Sequence, residues 1–350
     1  MSNRKLNRRQ TWRAEKIQQE RKERAQRKER NLSRQYQSGE LSSEQQGLVI
    51  SRFSKHFEVE ALEGEDKGKI HNCVCRTNLG NIVAGDKVIW RAGSDGTGVI
   101  ESRLKRSSLL ERPDNFGRLK AVAANIDQML IVISPEPSPQ PNLIDRYLVA
   151  AELLGVKPII VINKIDLISQ DNAELIAGLL AVYENLGYIS VSVVSSRHLE
   201  TRLGKLPQLI DGRVSIVVGQ SGVGKSSLIN TLLPEAKLAV GDLSAATGEG
   251  THTTTQAKLF HLPSGGQLID SPGIRDFSLW HIDLQQLQQG FIEIASRIGL
   301  CRFRDCKHEE EPGCAILAAV ETGEIEEIRF DSYERIKAAI IEQQKRFGQS

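Results

Sequence analysis

Gly219-Gln220-Ser221-Gly222-Val223-Gly224-Lys225-Ser226 has the form G-x4-G-K-[ST], a set of residue types suited to holding a chain of phosphates. The glycines let backbone N–H groups turn inward around phosphate oxygens, and the N-terminus of a following helix adds partial positive charge. In that setting Lys225 reaches the β- and γ-phosphates and stabilises phosphoryl charge, the Ser226 hydroxyl ligates Mg2+, and Ser227 completes the first turn. The apolar run Val214–Val218 precedes the motif and a helical stretch ending before Pro234 follows it, which is the strand–loop–helix context the motif requires. A second tetrapeptide, Asn163-Lys164-Ile165-Asp166, follows the apolar run Pro158–Ile162. The Asp166 carboxylate can accept from both N1–H and the exocyclic amine of guanine, a donor pair that adenine lacks. Asn163 can hydrogen-bond across the base site, and the stem of Lys164 can cover the base. Val194-Ser195-Ser196 ends the next apolar run, and a backbone N–H there can meet the base carbonyl.

Asp270-Ser271-Pro272-Gly273 has the form D-x-x-G after the run Gln267–Ile269. Asp270 would hold Mg2+ through a water, and the Gly273 N–H would sense the γ-phosphate. Between the phosphate loop and this motif lies the polar segment Gly248–Thr255, in which Thr253 or Thr254 would complete the Mg2+ shell. The order is informative. In ordinary GTPases the guanine motifs follow the phosphate loop and D-x-x-G; here they precede them, at residues 163–196 against 219–273. Chain ends often lie close together, so the same sheet can be closed elsewhere. The expected domain is a circularly permuted P-loop GTPase. Two alternatives stay open on these residues: an ATP-dependent P-loop enzyme, against which Asp166 speaks, and an RNA-binding scaffold that uses GTP as a switch with little turnover.

Cys301, Cys306, His308 and Cys314 place three thiols and one imidazole within a short span. Tetrahedral S3N ligation suits one Zn2+, and with all four positions filled by protein the site is structural. Arg302, Arg304 and Lys307 lie among these ligands and could present positive charge to RNA.

These groups need elements to position them. Residues 46–112 read as five short strands with Gly-rich turns: Gly47–Ile50, His56–Val59, Ile70–Cys75, Gly85–Trp90 and Gly98–Ser102, a pattern that suggests an OB-fold barrel. Cys73 and Cys75 alternate on one of these strands and read as barrel residues. From residue 113 to 280, apolar runs (Gln128–Ile133, Pro158–Ile162, Ile189–Val194, Val214–Val218, Gln267–Ile269) alternate with helical segments (Asn142–Leu154, Ala173–Leu186, Thr201–Leu209, Ser226–Leu233). That alternation is the pattern of an α/β domain with a mainly parallel sheet. Ser134–Pro141 is a Pro/Ser-rich loop. Residues 281–350 form a helical, metal-binding domain ending in a charged helix over Ser332–Arg346. Residues 1–45 are a polar tail. Its first thirty residues hold twelve Lys/Arg against four Glu, a local charge of +8 in a chain whose net charge is +2, so a disordered arm suited to an anionic polymer is expected. No apolar stretch is long enough to span a bilayer, and the N-terminus is too charged for a signal peptide, so a cytoplasmic protein with no membrane partner is expected.

Together these residues resemble the RsgA (YjeQ) family, the small-ribosomal-subunit-dependent GTPases of bacteria, over about residues 46–340. The resemblance implies a barrel, a permuted GTPase and a zinc domain in that order. It also implies binding to the 30S subunit and its 16S rRNA, a role in late subunit maturation, and hydrolysis of GTP to GDP stimulated by that subunit, with the protein acting as a monomer. The family's Thr loop usually reads Gly-Arg-His-Thr-Thr-Thr; Thr251 stands here in place of the Arg. Ile274 follows D-x-x-G where Ras-like GTPases carry a water-orienting Gln, and an aliphatic side chain cannot do that work. His252 is the candidate catalytic substitute; a solvent-exposed loop histidine is the alternative.

Overall fold

The computed structural model describes residues 41–76, 79–93, 96–113, 118–195, 202–233, 257–270, 279 and 281–347. The chain divides into two compact units. One is built within Met1–Val49, Phe53–Gly80 and Lys87–Leu104, the other from Ile50–Arg52, Asn81–Asp86 and Lys105 onward.

The first unit is a five-stranded barrel of β1 (Gln45–Phe53), β2 (His56–Ala61), β3 (Ile70–Cys75), β4 (Lys87–Ala92) and β5 (Thr97–Arg103). The strand order β1-β2-β3-β5-β4 closes through an antiparallel β1–β4 pairing, and β3 runs parallel to β5. Alternation of buried and exposed residues, as in His56–Ala61, faces one side of each strand inward. Trp90 fills the centre. A Cβ at Gly47 or Gly98 would fall 2.6 or 2.8 Å from its ring, so the barrel closes around an indole only because those two positions lack a side chain. Cys73 is fully buried here, and burial pushes its thiol well above the usual range, as befits a barrel residue.

The second unit begins with a hairpin, β6 (Leu109–Pro113) against β7 (Leu119–Ala124). Its sheet contains β8 (Gln128–Ile133), β9 (Lys157–Ile162), β10 (Ile189–Ser192), β11 (Val214–Val218), β12 (Lys258–His261) and β13 (Gln267–Asp270), in the order β10-β9-β8-β11-β13-β12. All neighbours are parallel except β12, which is antiparallel to β13. Helices cover it: α1 (Pro141–Leu154), α2 (Gln170–Asn185), α3 (Leu206–Ile210) and α4 (Lys225–Leu232). β8 and most of β9 are buried along their whole length, as strands covered on both faces must be. Each such Ile, Leu or Val contributes about 1.5–3 kcal/mol by leaving water. Pro141 opens α1 at the position where a missing N–H costs nothing, and Gly155 closes it with φ +66°.

Within this same unit, α5 (Leu284–Gly290), α6 (Ile292–Ala295), α7 (Ala315–Glu321) and α8 (Glu327–Phe347) follow. Asp283 caps α5 by accepting from Gln286 N–H at 2.7 Å while Gln286 Oε1 accepts from Asp283 N–H at 3.0 Å. α1 packs against α5 and α8, so closely that a Cβ at Gly290 would lie 2.5 Å from Val149.

Three expectations shift. The helix read over Thr201–Leu209 is formed only at Leu206–Ile210, because Gly204 turns the chain with φ +54° ahead of it. The helix read from Ser332 starts at Glu327. The hairpin β6–β7 spans residue 113, at which the barrel was expected to give way to the GTPase domain. The basic tail, residues 1–40, lies outside the described residues.

Candidate functional site

Because β8, β9, β10, β11 and β13 are parallel, the loops that leave their carboxyl ends emerge along one edge of the sheet. The phosphate loop, the Asn163–Asp166 loop, Ser195 and Asp270 sit on that edge. The phosphate loop follows β11 and runs into α4. Gly219 has φ +139°, and a Cβ there would come within 2.2 Å of the Val132 carbonyl oxygen on β8. Gly222 and Gly224 have φ +86° and +90°. Only glycine adopts this run of conformations at no steric cost. Val223, 1% exposed, points the other way into the core with Leu130, Val132 and Leu228, anchoring the loop from below. Gln220 and Ser221 lie at its outer turn, and Ser226 and Ser227 are half-buried in the first turn of α4. Lys225 donates to the carbonyl oxygens of Gly219 at 2.7 Å and Gln220 at 2.6 Å, so its ammonium is already held at the loop mouth.

Asn163 ties this loop to the others. It is 0% exposed. Its Nδ2 donates to the carbonyls of Val223 at 3.0 Å and Gly224 at 3.4 Å, and its Oδ1 accepts from Ser195 N–H at 3.2 Å and Ser195 Oγ–H at 2.8 Å. Both ends of the amide are engaged inside the protein, where it ties three loops together. Lys164, in the left-handed region at φ +58°, donates to the carbonyls of Gly222 at 2.7 Å and Glu136 at 3.0 Å. Asp166 is exposed on the short 3-10 turn Ile165–Leu167 that follows. Asp270 ends β13, in register with Val217 of β11, which places it beside the root of the phosphate loop. Ser196, the Gly248–Thr255 loop with His252, Thr253 and Thr254, and Gly273 with Ile274 lie outside the described residues.

One participant carries no sequence signal. The proline-rich loop after β8 was legible only as a loop, yet the Glu136 carbonyl accepts from both Ser134 Oγ at 2.7 Å and Lys164 Nζ, and Pro137 lies 3.5 Å from where a Gly222 Cβ would be. It braces the phosphate loop from the side.

The four residues of the metal motif converge. Their ligand atoms all lie within 4.8 Å of one another. His308 Nδ1 is 3.6 Å from Cys301 Sγ and 3.3 Å from Cys314 Sγ, and the two sulfurs are 3.9 Å apart. Three thiols and a ring nitrogen at these spacings form a donor set for one soft or borderline metal ion. Burial, with Lys337 nearby, holds His308 below its usual pKa, so the imidazole is neutral and able to ligate. Desolvation, with the neighbouring sulfurs adding, pushes the Cys306 thiol up to about 12, a value that a bound cation would reverse. Cys314 also caps α7, accepting from Leu317 N–H at 3.5 Å. Two supports were invisible in the sequence. Glu311, drawn down to about 2 by the N–H groups of Lys307 and Glu309, pins the loop from within, and the buried Lys337 ammonium on α8 donates to the Lys307 carbonyl at 2.8 Å.

A phosphate loop and a guanine-type loop locked together in permuted order place the chain among a narrow set of GTPases. The family model described as RsgA GTPase matches residues 103–280. The small ribosomal subunit biogenesis GTPase RsgA of Pseudomonas fluorescens (strain SBW25) is 54% identical over 98% of this chain and 99% of its own length. The chain belongs to the RsgA GTPase family. The RsgA of Marinobacter nauticus is 51% identical, covering 99% of both chains. Two solved structures extend the RsgA likeness to the fold. YjeQ from Thermotoga maritima superposes with a TM-score of 0.69 at 31% identity, over 85% of this chain and 99% of that one. YloQ, a circularly permuted GTPase, gives 0.67 at 30%, over 86% and 96%. The permuted order and the succession of barrel, GTPase sheet and C-terminal helices are thus those of RsgA proteins.

Two outcomes follow from this geometry. A Cβ at Gly224 would meet Asn163 Nδ2 at 2.3 Å in a backbone conformation that costs an L-residue about 1–2 kcal/mol. Gly224→Ala is therefore expected to weaken guanine-nucleotide binding at least about tenfold, measured by titration calorimetry; unchanged affinity would show that the Asn163 lock does not shape the site. Cys314→Ser is expected to lower bound metal, read by atomic emission, and to lower the melting temperature of the helical segment, because ligand binding there is folding free energy. A parent protein that purifies without metal and melts like the variant would refute the metal centre.

Proposed function

We propose that this chain hydrolyses GTP to GDP and phosphate as a step in building the small ribosomal subunit. The observation that carries the reading is the Asn163–Ser195–Val223 lock, which sets a guanine-type loop beside a phosphate loop in the order peculiar to permuted GTPases. In this scheme the backbone N–H groups of Gly219–Gly224 cradle the phosphates, and Lys225 leaves the loop carbonyls for the β- and γ-phosphates. Ser226, Asp270 and one of Thr253 and Thr254 hold Mg2+, which supplies charge neutralisation at the transferring phosphoryl group when bound. Gly273 N–H meets the γ-phosphate. Asp166 reads N1–H and the exocyclic amine of guanine, with the backbone N–H of Ser196 on the base carbonyl and Ser195 holding Asn163 behind it. Lys164 and Asn163 hold the base-side loops in place.

The partner is the 30S subunit, engaged through 16S rRNA, with the protein acting as a cytoplasmic monomer; no described helix is long and apolar enough to cross a membrane. The basic tail, the barrel and the C-terminal helical segment are RNA-facing modules on either side of the GTPase sheet in the sequence. The metal is Zn2+, which the Cys301, Cys306, His308 and Cys314 donor set favours, and its role is structural because the protein fills all four positions. Ile274 leaves no water-positioning amide, so basal hydrolysis is slow and His252 positions the water once the subunit is docked.

Single-turnover hydrolysis with and without 30S subunits tests the reading, since equal rates in both conditions contradict it. Asp166→Asn is expected to lower GTP affinity at least about tenfold by removing a charge-assisted pair of hydrogen bonds, and to shift preference toward xanthosine nucleotides, whose C2 carbonyl accepts from the new amide. Retained GTP affinity would refute the assignment of this loop. His252→Ala is expected to keep nucleotide affinity and 30S binding while losing about a hundredfold or more of the stimulated rate; full stimulation would remove His252 from the mechanism.

A further inference from the structure

A charged cluster lies buried between the GTPase helices and the helical C-terminal segment, and the nucleotide chemistry makes no use of it. Arg329 on α8 is 1% exposed. Its Nε and Nη2 donate to the two carboxylate oxygens of Glu293 on α6 at 2.6 and 3.1 Å, and its Nη1 donates to Asp145 on α1. Asp145 is fully buried and also accepts from Tyr183 Oη–H on α2 at 2.8 Å. The guanidinium lies 4.5 Å from the centroid of the Phe291 ring. One residue thus fastens α8 to α6 and, through Asp145, to α1 and α2.

Such a cluster is poor glue. Removing a guanidinium and two carboxylates from water costs several kcal/mol per ion, and well-packed apolar side chains of similar volume hold helices as well or better. What the fork has and an apolar contact lacks is direction: it permits one rotation and one register of α8 on α1. Neighbouring contacts make that register consequential. On the C-terminal side, Lys337 of α8 grips the metal loop at the Lys307 carbonyl. On the other side, Asp145 stands about one helical turn, roughly 6 Å, from the start of α1 at Pro141. The loop leading into Pro141 carries the Glu136 carbonyl that accepts from Lys164, and Lys164 in turn donates to Gly222 of the phosphate loop.

We propose that Arg329 is a positioning residue for GTP hydrolysis: it fixes the metal-bearing segment to α1 so that a partner docked on that segment acts on the phosphate loop as through one rigid body. This rests on the subunit-stimulated hydrolysis proposed above. The basal reaction does not need the fork; the stimulated one does.

Two variants separate positioning from simple stability. Arg329→Lys keeps the charge and loses the fork. The triple variant Asp145→Leu, Glu293→Met, Arg329→Met removes every charge together and leaves none unpaired. Metal content, nucleotide affinity, basal single-turnover rate, and the dependence of rate on 30S concentration are measured for each in the full chain. Both variants are expected to keep metal, affinity, basal rate and half-saturating 30S concentration within about twofold of the parent. Their maximal stimulated rate is expected to fall about tenfold or more. Parental stimulation in either variant overturns the proposal. So does loss of metal, nucleotide or basal rate in Arg329→Lys, which would make the cluster mere scaffolding; that single variant decides the matter if the triple variant does not fold. A parent that 30S subunits do not stimulate fails at the functional reading instead, a separate and recognisable result.

Discussion

The side-chain amide of Asn163 is buried among carbonyls and a serine from two other loops, and its four hydrogen bonds are the contact on which the site depends. A buried amide left without partners costs about 1–3 kcal/mol, so the loops after β9, β10 and β11 satisfy it together or not at all. Nothing in that constraint refers to chain order. Val223 and Asn163 need only emerge from parallel strands one strand apart, with β8 between β9 and β11, and the register of those three strands delivers them to the same edge. Permutation is tolerated for that reason. It cuts and rejoins connections on the surface while leaving the sheet order and the amide lock intact.

The same reasoning explains why the glycines of the phosphate loop are placed as they are. Gly219 must pass close to the Val132 carbonyl on β8, Gly222 must hold φ +86° beside Pro137, and Gly224 must turn under Asn163. These constraints come from neighbours on or after β8 and β9, none of them on β11, the strand that launches the loop. The loop is therefore shaped from three sides before any phosphate reaches it, which is the preorganisation that lets backbone N–H groups act without rearrangement.

Much of this was legible in the sequence. Gln128–Ile133 and Val214–Val218 announce themselves as strands because both faces are covered and every residue is apolar or nearly so. The barrel strands follow from alternation, and the metal ligands from donor type and spacing. The hairpin β6–β7 escaped because Leu109–Pro113 is short, mixed in polarity and ends in proline. Lys164 and Asn163 were readable as members of a motif but not as a lock, since their partners are carbonyl oxygens, which no side-chain pattern encodes. Arg329 was the least legible of all. In a helix as charged as α8, an arginine at any position reads as solvent-facing, and the carboxylate of Asp145 lies 184 residues away in sequence.

The metal loop shows what happens where burial is not available. Between α6 and α7, residues 296–314 form neither helix nor strand among the described residues, and the large apolar side chains there, Ile298, Leu300 and Phe303, are 44%, 67% and 43% exposed. A segment whose apolar groups face outward gains little from the hydrophobic effect and must be ordered by other means. Three are present: the clustered thiols and imidazole, the Glu311 carboxylate accepting two backbone N–H groups, and the Lys337 ammonium reaching in from α8. Each is polar and directional, and each ties the loop to a defined point. The aromatic core beneath, where Phe291 and Tyr333 meet edge to face at 5.6 Å, then has only to hold the helices and not the loop.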